Sequence, residues 1–237
     1  MTETGNIHRS NRLLSALTND DFSRLKPHLA VVELVQKERV FEGGAPAEHV
    51  YFPHEGVISI VATDADGGAV EVATVGREGM TGIALVLGSD TMASDAMVQV
   101  SGRGSRMDAG AFREAVEASA TLRQQMLRYV LAVLTQVSQN AACNQLHHIN
   151  TRCARWLLTA HDRVAGDSYA LTQEYLAMML GVTRPSVSAA AAALQKAGLI
   201  RYSRGVITIL DRVGLEAASC ECYRIIEDEF VRLRGPG

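Results

Sequence analysis

Between Gln173 and Lys196 the sequence concentrates side chains that can read a nucleic acid. Arg184 carries a planar guanidinium able to bond guanine O6 and N7 with two donors. Ser188 can bond a base edge or a phosphate, and the methyl groups of Ala189 and Ala192 can touch thymine methyls. Ser186, Lys196 and, further on, Arg204 suit phosphate contacts, which position a protein on a duplex without specifying sequence. At about 100° per residue, Arg184, Pro185, Ser188, Ala189, Ala192 and Lys196 share one helix face. Val187, Ala190 and Leu194 share the opposite one.

That face needs a second helix to hold it. Leu176 and Leu180 lie on one side of such a helix, and Ala177 is small enough for the next helix to cross close above it. Gly181 permits a left-handed turn. Val182 is expected to be buried under the turn and Thr183 to cap the second helix, with Pro185 in its first turn, where a missing N–H costs nothing. This is the pattern of a helix-turn-helix. Ala197-Gly198-Leu199-Ile200 stops the second helix. Arg201–Ser203 and Val206–Leu210 then alternate like a hairpin around Arg204-Gly205, which makes the motif winged.

Charge agrees with an anionic partner for this part alone. The chain of 237 residues has a net charge of -3. From Thr151 to Arg212 it has eight basic and four acidic residues, a local charge of +4 that leaves -7 for the rest. Such asymmetry fits a partner held by one segment.

The preceding sequence has two textures. After helical material at Leu13–Leu29, with Thr18 as N-cap, short strands are expected at Val31–Val35, Arg39–Glu42, His49–Pro53, Val57–Thr63, Ala69–Val75 and Ala96–Ser101. Turn signals separate them at Gly43–Pro46, His54–Gly56, Asp66-Gly67-Gly68 and Gly76–Gly79. Strands at this spacing predict a sandwich, roll or barrel able to hold a small molecule. Helices are then expected at Asp108–Ser119, Leu122–His147 and Thr151–Arg163. In the second of these, Leu122, Met126, Tyr129, Val130, Val133, Leu134, Val137 and Ala141 fall at steps that make an apolar stripe. Its length fits a helix that pairs with its copy in a homodimer through residues 122–147, as well as a helix under the roll.

Cys143, Cys153, Cys220 and Cys222 form no disulfide framework and are expected to be reduced. The stretch Gly214–Phe230 has helical periodicity, on which Cys220 and Cys222 would lie about 200° apart. They are therefore read as buried or spectator thiols in preference to a metal or redox site, and no metal ligand is expected. His147-His148 is read as a hinge or as solvated, in preference to a metal site, and His49 and His54 as facing opposite sides of a strand. No phosphate loop, nucleophile elbow or His-Glu-x-x-His occurs, so no catalytic residue, cofactor or enzymatic activity is expected. Composition, 47% hydrophobic and 21% charged, excludes general disorder. No apolar run reaches the length of a membrane span. The polar stretch Met1–Ser10 lacks the apolar core of a secretory signal, so a cytoplasmic protein is expected.

The order of strand roll, long helix and winged helix-turn-helix resembles the bacterial Crp/Fnr family of regulators over nearly the whole chain. Val40-Phe41-Glu42-Gly43 and His49–Ile58 resemble the opening strands of its cyclic-nucleotide-binding roll. Leu171-Thr172-Gln173-Glu174 and Thr183–Ser188 resemble its DNA-binding motif, which adds Thr172 and Thr183 to the DNA-contacting set. The resemblance implies an α+β fold: an N-terminal antiparallel β-roll (jelly-roll-like) at 1–118, a dimerisation helix at 119–148 and a winged helix-turn-helix at 149–237. It also implies a homodimer on a two-fold symmetric operator in double-stranded DNA, and a contact with RNA polymerase. Family members that bind cyclic nucleotides carry a Gly-Glu pair and, further along, Arg-Ser or Arg-Thr. Here the corresponding residues are Met80, Thr81, Gly82, Ser94 and Asp95, the positional candidates for an effector pocket. No arginine lies between Arg77 and Arg103, and Asp95 would repel a phosphate, so cAMP is not the expected effector. The alternative is a ligand- or redox-sensing module whose winged domain binds protein instead of DNA.

Overall fold

The computed structural model describes residues 7–66 and 68–235. Met1–Asn6, most of the polar N-terminal stretch, and Gly67 of the Asp66–Gly68 turn lie outside the described residues. Two short helices, α1 (Arg12–Ser15) and α2 (Asn19–Leu25), open the fold. Thr18 caps α2 as expected, its hydroxyl accepting the Asp21 N–H at 3.1 Å. Five strands follow: β1 (Ala30–Leu34), β2 (Arg39–Phe41), β3 (His49–Thr63), β4 (Ala69–Val75) and β5 (Asp95–Asp108). They pair antiparallel in the order β1-β5-β3-β4, with β2 also on β5.

Two of the expected strands are corrected by the structure. His49–Pro53 and Val57–Thr63 are one strand, not two. The register of β3 against β5 shifts at Pro53/Glu55, Glu55/Val57 and Val57/Ile58, so His54-Glu55-Gly56 bulges instead of turning back. Gly56, at φ 92°, takes a backbone conformation that a side chain would resist. Bulges bend a strand and add twist. Likewise β5 runs on past Ser101, because its second half pairs with both β1 and the first half of β3.

A one-turn helix, α3 (Ile83–Val86), lies between β4 and β5. After β5, α4 (Ala109–Ala118) is capped by Asp108, and α5 runs 27 residues from Ala120 to Leu146. Helix α5 covers the edge strand of the sheet with polar side chains. Gln136 accepts the Thr74 N–H at 3.1 Å, and Asn140 donates to the Val72 carbonyl at 3.0 Å. Satisfying an open strand edge in this way prevents further pairing. The single stripe expected on α5 proves to be two faces. Leu122, Met126, Tyr129 and Val133 are buried on the roll, whereas Leu127, Leu131 and Leu134 are about half exposed.

The C-terminal part comprises α6 (Ile149–His161), β6 (Ser168–Ala170), α7 (Gln173–Leu180), α8 (Arg184–Lys196), β7 (Ile200–Ser203), β8 (Val206–Ile209), α9 (Arg212–Ala218) and α10 (Cys222–Arg234). The hairpin gains an unexpected third strand, giving the order β6-β8-β7. The helix expected across Gly214–Phe230 is broken at Ser219–Glu221. Ser219 is extended and its hydroxyl bonds back to the Glu216 carbonyl at 2.8 Å. The break lets α10 run back along α5, with the Phe230 ring 6.2 Å from that of Tyr129. Among the described residues no single helix is long and apolar enough to cross a membrane.

Candidate nucleic-acid interface and effector cavity

Helices α7 and α8 meet at 106°, within the range of helix-turn-helix pairs. Gly181 ends α7 in the left-handed region at φ 61°, and a side chain there would press on Val70 of β4. Leu176, Ala177 and Leu180 on α7 and Val187, Ala190 and Leu194 on α8 are buried between the two helices and the domain core. Val182 is only half-buried. Thr183 stands at the N-cap of α8, but its hydroxyl makes no capping bond; it lies 3.0 Å from Ser186 Oγ instead. Thr172 does cap α7, accepting the Tyr175 N–H at 3.2 Å.

The opposite side of α8 is open. Arg184, Pro185, Ala189, Ala192 and Lys196 are exposed, and Ser186 and Ser188 half-exposed. Arg204 sits at the wing tip with φ 51°. A surface groove lined by Thr172, Gln173, Glu174, Arg184, Gln195, Tyr202, Arg204 and Gly205 joins α8 to the wing. Two bonds fix that junction: the Tyr202 N–H donates to Gln195 at 2.7 Å, and the Tyr202 hydroxyl to the Leu171 carbonyl at 2.8 Å. The structure thus brings Thr172, Arg184 and Arg204 to one groove. Sequence reading missed Gln195 and Tyr202; the alternation of β7 already pointed Tyr202 inward.

The local charge of +4 resolves into two groups. Arg152, Arg155 and Arg163 are buried, and Arg212 pairs with Asp162 at 2.6 Å and Glu216 at 3.0 Å. Arg152 donates to Asn144 at 2.8 Å and to the last carbonyl of α7, that of Leu180. Arg155 donates to Asn140 at 2.8 Å. These four arginines serve the architecture. Arg184, Lys196, Arg201 and Arg204 are exposed and carry the outward charge.

The winged domain is docked on the roll. Arg163 sits on the Glu78 carboxylate with bonds of 2.7–3.1 Å, and the Arg163 carbonyl accepts the Gly56 N–H at 2.7 Å. Burial pushes the Glu78 carboxyl up, but the Arg163 charge outweighs it and holds it below its ordinary value. Trp156 donates its indole N–H to Glu71 of β4 at 2.8 Å. Complete burial pushes Glu71 up to about 7, against the hydrogen bonds of Ser59 and Trp156.

A cavity of about 220 Å³ lies between the sheet and α5. Met80, Thr81, Gly82 and Ser94 line it, with Ile60, Val72, Val75, Met92, Tyr129, Val133 and Val137 among its apolar walls, and among the described residues none that lines it is charged. Asp95 is not among the lining residues; its carboxylate accepts the Gly43 N–H at 2.9 Å.

Comparison with known proteins finds two domain matches. Residues 31–119 match the cyclic nucleotide-binding domain, and residues 151–218 match the Crp-like helix-turn-helix domain. A CRP-like cAMP-activated global transcriptional regulator of Mycobacterium tuberculosis is 25% identical over 194 residues, 79% of this chain and 87% of that protein. Among solved structures, a transcriptional regulator of the crp/fnr family from Eubacterium rectale has a TM-score of 0.68 at 16% identity, covering 89% of this chain and 98% of its own. A CRP family regulator from Thermus thermophilus has a TM-score of 0.64 at 22% identity, covering 79% and 96%. Two domain matches in this order, joined by a long helix, show that the chain belongs to the Crp/Fnr family of transcriptional regulators.

Proposed function

We propose that this Crp-type DNA-binding regulator acts as a homodimer on a two-fold symmetric operator and does not need cAMP. The open face of α8 beside the wing groove carries the reading. Arg184 and Ser188 would meet base edges, Ala189 and Ala192 thymine methyls, and Thr172, Thr183, Ser186, Lys196 and Arg204 the backbone. Arg184 starts from a weak exposed pair with Glu174 at 3.4 Å, which costs little to break. Ser188 must give up its bond to Gln173, 2.7 Å long.

The units are the roll up to residue 118, the helix at 119–148 and the winged part from 149. Leu127, Leu131, Leu134 and Ala141 recur at steps of four, three and seven on the outer face of α5, the spacing of a two-stranded seam. An effector in the cavity would press on Tyr129, Val133 and Val137, on the other side of that helix, and so reach the dimer seam. The uncharged lining supplies nothing to neutralise a cyclic phosphate, which favours an apolar ligand. RNA polymerase is the partner that family membership implies.

The test is in vitro selection of operator DNA by the full chain, with and without cAMP. One palindromic site selected without nucleotide is the expected result. Selection only with cAMP would overturn the reading of the cavity. Absence of any salt-dependent DNA affinity would move the winged domain to a protein partner.

A further inference from the structure

The break between α9 and α10 gathers four metal-binding side chains that nothing in the DNA-binding reading uses. Cys143 and His147 lie one turn apart at the end of α5. Cys220 and Cys222 flank Glu221 at the break. The three thiols are buried in one cluster of their own. Cys143 Sγ lies 3.6 Å from Cys220 Sγ, and Cys222 Sγ lies 3.4 Å from His147 Nδ1. One ligand atom from each of the four lies within 4.8 Å of every other. Because Cys220 precedes α10 instead of lying on it, the helical spacing that would hold the two sulfurs apart does not apply.

We propose that Cys143, His147, Cys220 and Cys222 bind a single zinc ion that pins the end of α5 to the start of α10. Zinc prefers four tetrahedral ligands, and three thiolates with one imidazole is a common structural set. With zinc–sulfur bonds of about 2.3 Å and zinc–nitrogen bonds of about 2.0–2.1 Å, tetrahedron edges are about 3.8 Å between sulfurs and about 3.5 Å between sulfur and nitrogen. The Cys143–Cys220 and Cys222–His147 separations match those edges. An iron–sulfur cluster shares its four protein ligands among two or four irons, so ligands on different irons stand further apart than the four do here.

The surroundings are those of a metal site. His147 Nε2 lies 3.3 Å from Glu221 Oε1, the carboxylate partner that fixes the tautomer and ring orientation of a ligating histidine. Gln139 donates an N–H to Cys222 Sγ at 3.1 Å, as a coordinated thiolate would accept it. The fourth cysteine, Cys153, has no part in this. It is buried in the apolar core of the winged domain, where burial alone pushes its thiol up to about 12. The site also has a mechanical consequence. His147 and His148 are where the chain leaves α5 for α6. An ion at this point would bridge the junction through which the winged domain is carried.

The experiment uses the full chain purified under reductant, first for metal content and then, after chelation, for cobalt(II) binding. The expected result is one zinc per chain and a cobalt adduct with thiolate charge-transfer and tetrahedral d–d absorption, displaced by zinc. Cys143→Ser and Cys222→Ser should abolish it and Cys153→Ser should leave it intact. Glu221→Ala should weaken zinc about ten- to a hundred-fold. Four free thiols with no tetrahedral cobalt spectrum in the wild-type chain would overturn the site, whatever the variants do. So would a Cys143–Cys220 disulfide or an iron–sulfur chromophore in protein prepared without oxygen.

Discussion

Arg184 and Lys196 occupy one face of one helix, yet they are expected to do different work, and that difference is measurable. A bidentate arginine on guanine discriminates between sequences, so Arg184→Ala should cost about 1–3 kcal/mol on the selected operator and little on random DNA. A phosphate contact is blind to sequence, so Lys196→Ala should weaken both alike and reduce the salt slope by about one. Competition binding at several salt concentrations separates the two; equal loss on both DNAs would remove Arg184 from base readout. Glu71 offers a second test at this scale. The folded protein holds a proton on this carboxyl up to about pH 7, against an ordinary value of 4.5, because burial disfavours the anion. The unfolded chain releases it earlier. Stability from this group is therefore full below about pH 4.5, falls as pH rises toward 7 and is flat above, by at most about 3 kcal/mol. Glu71→Gln should raise the melting temperature at pH 8 and leave it nearly unchanged at pH 5. An equal shift at both pH values would mean that the carboxyl is ionised throughout.

Helix α5 carries apolar residues on two sides, one buried and one exposed, and at this scale the exposed side is the testable one. Leu127, Leu131 and Leu134 are 45–54% exposed in the single chain. Placing a charge in such a seam leaves it buried and unpaired in the dimer but harmless in the monomer. Leu131→Glu should give a folded monomer by sedimentation, with specific DNA affinity down at least about a hundred-fold through loss of the second half-site; a variant still dimeric would place the interface elsewhere. The sequence showed that α5 was long and apolar, but not that its apolar residues divide into two faces, because a stripe three or four positions wide looks continuous until the partner surfaces are known. The turn motif was legible for the opposite reason: Gly181, Pro185 and the spacing of Leu176, Leu180, Val187 and Leu194 are local requirements. The bulged β3, the break at Ser219–Glu221 and the meeting of Cys143 with Cys220 depend on contacts between distant segments. Local periodicity carries no trace of those.

Across the whole molecule, the two domains share a core. Val57, Val61 and Val100 of the roll belong to the same buried cluster as Trp156, Leu157 and Leu176 of the winged part. The Arg163–Glu78 pair crosses the seam with the side chains 2% and 11% exposed. Removing one partner of such a pair leaves an uncompensated charge, at a cost of about 3–5 kcal/mol. Trp156, the one tryptophan in the chain, lies in the seam and bonds across it to Glu71. Its emission therefore reports docking, while circular dichroism reports the helices of both parts. With a shared core the two signals should lose their structure in one coincident transition. In Glu78→Ala the emission should move to longer wavelength, as water reaches the indole, at a lower temperature than in the wild-type chain. Two separate transitions in the wild-type chain, with the emission changing in the earlier one, would mean that the winged domain leaves the roll before either part unfolds.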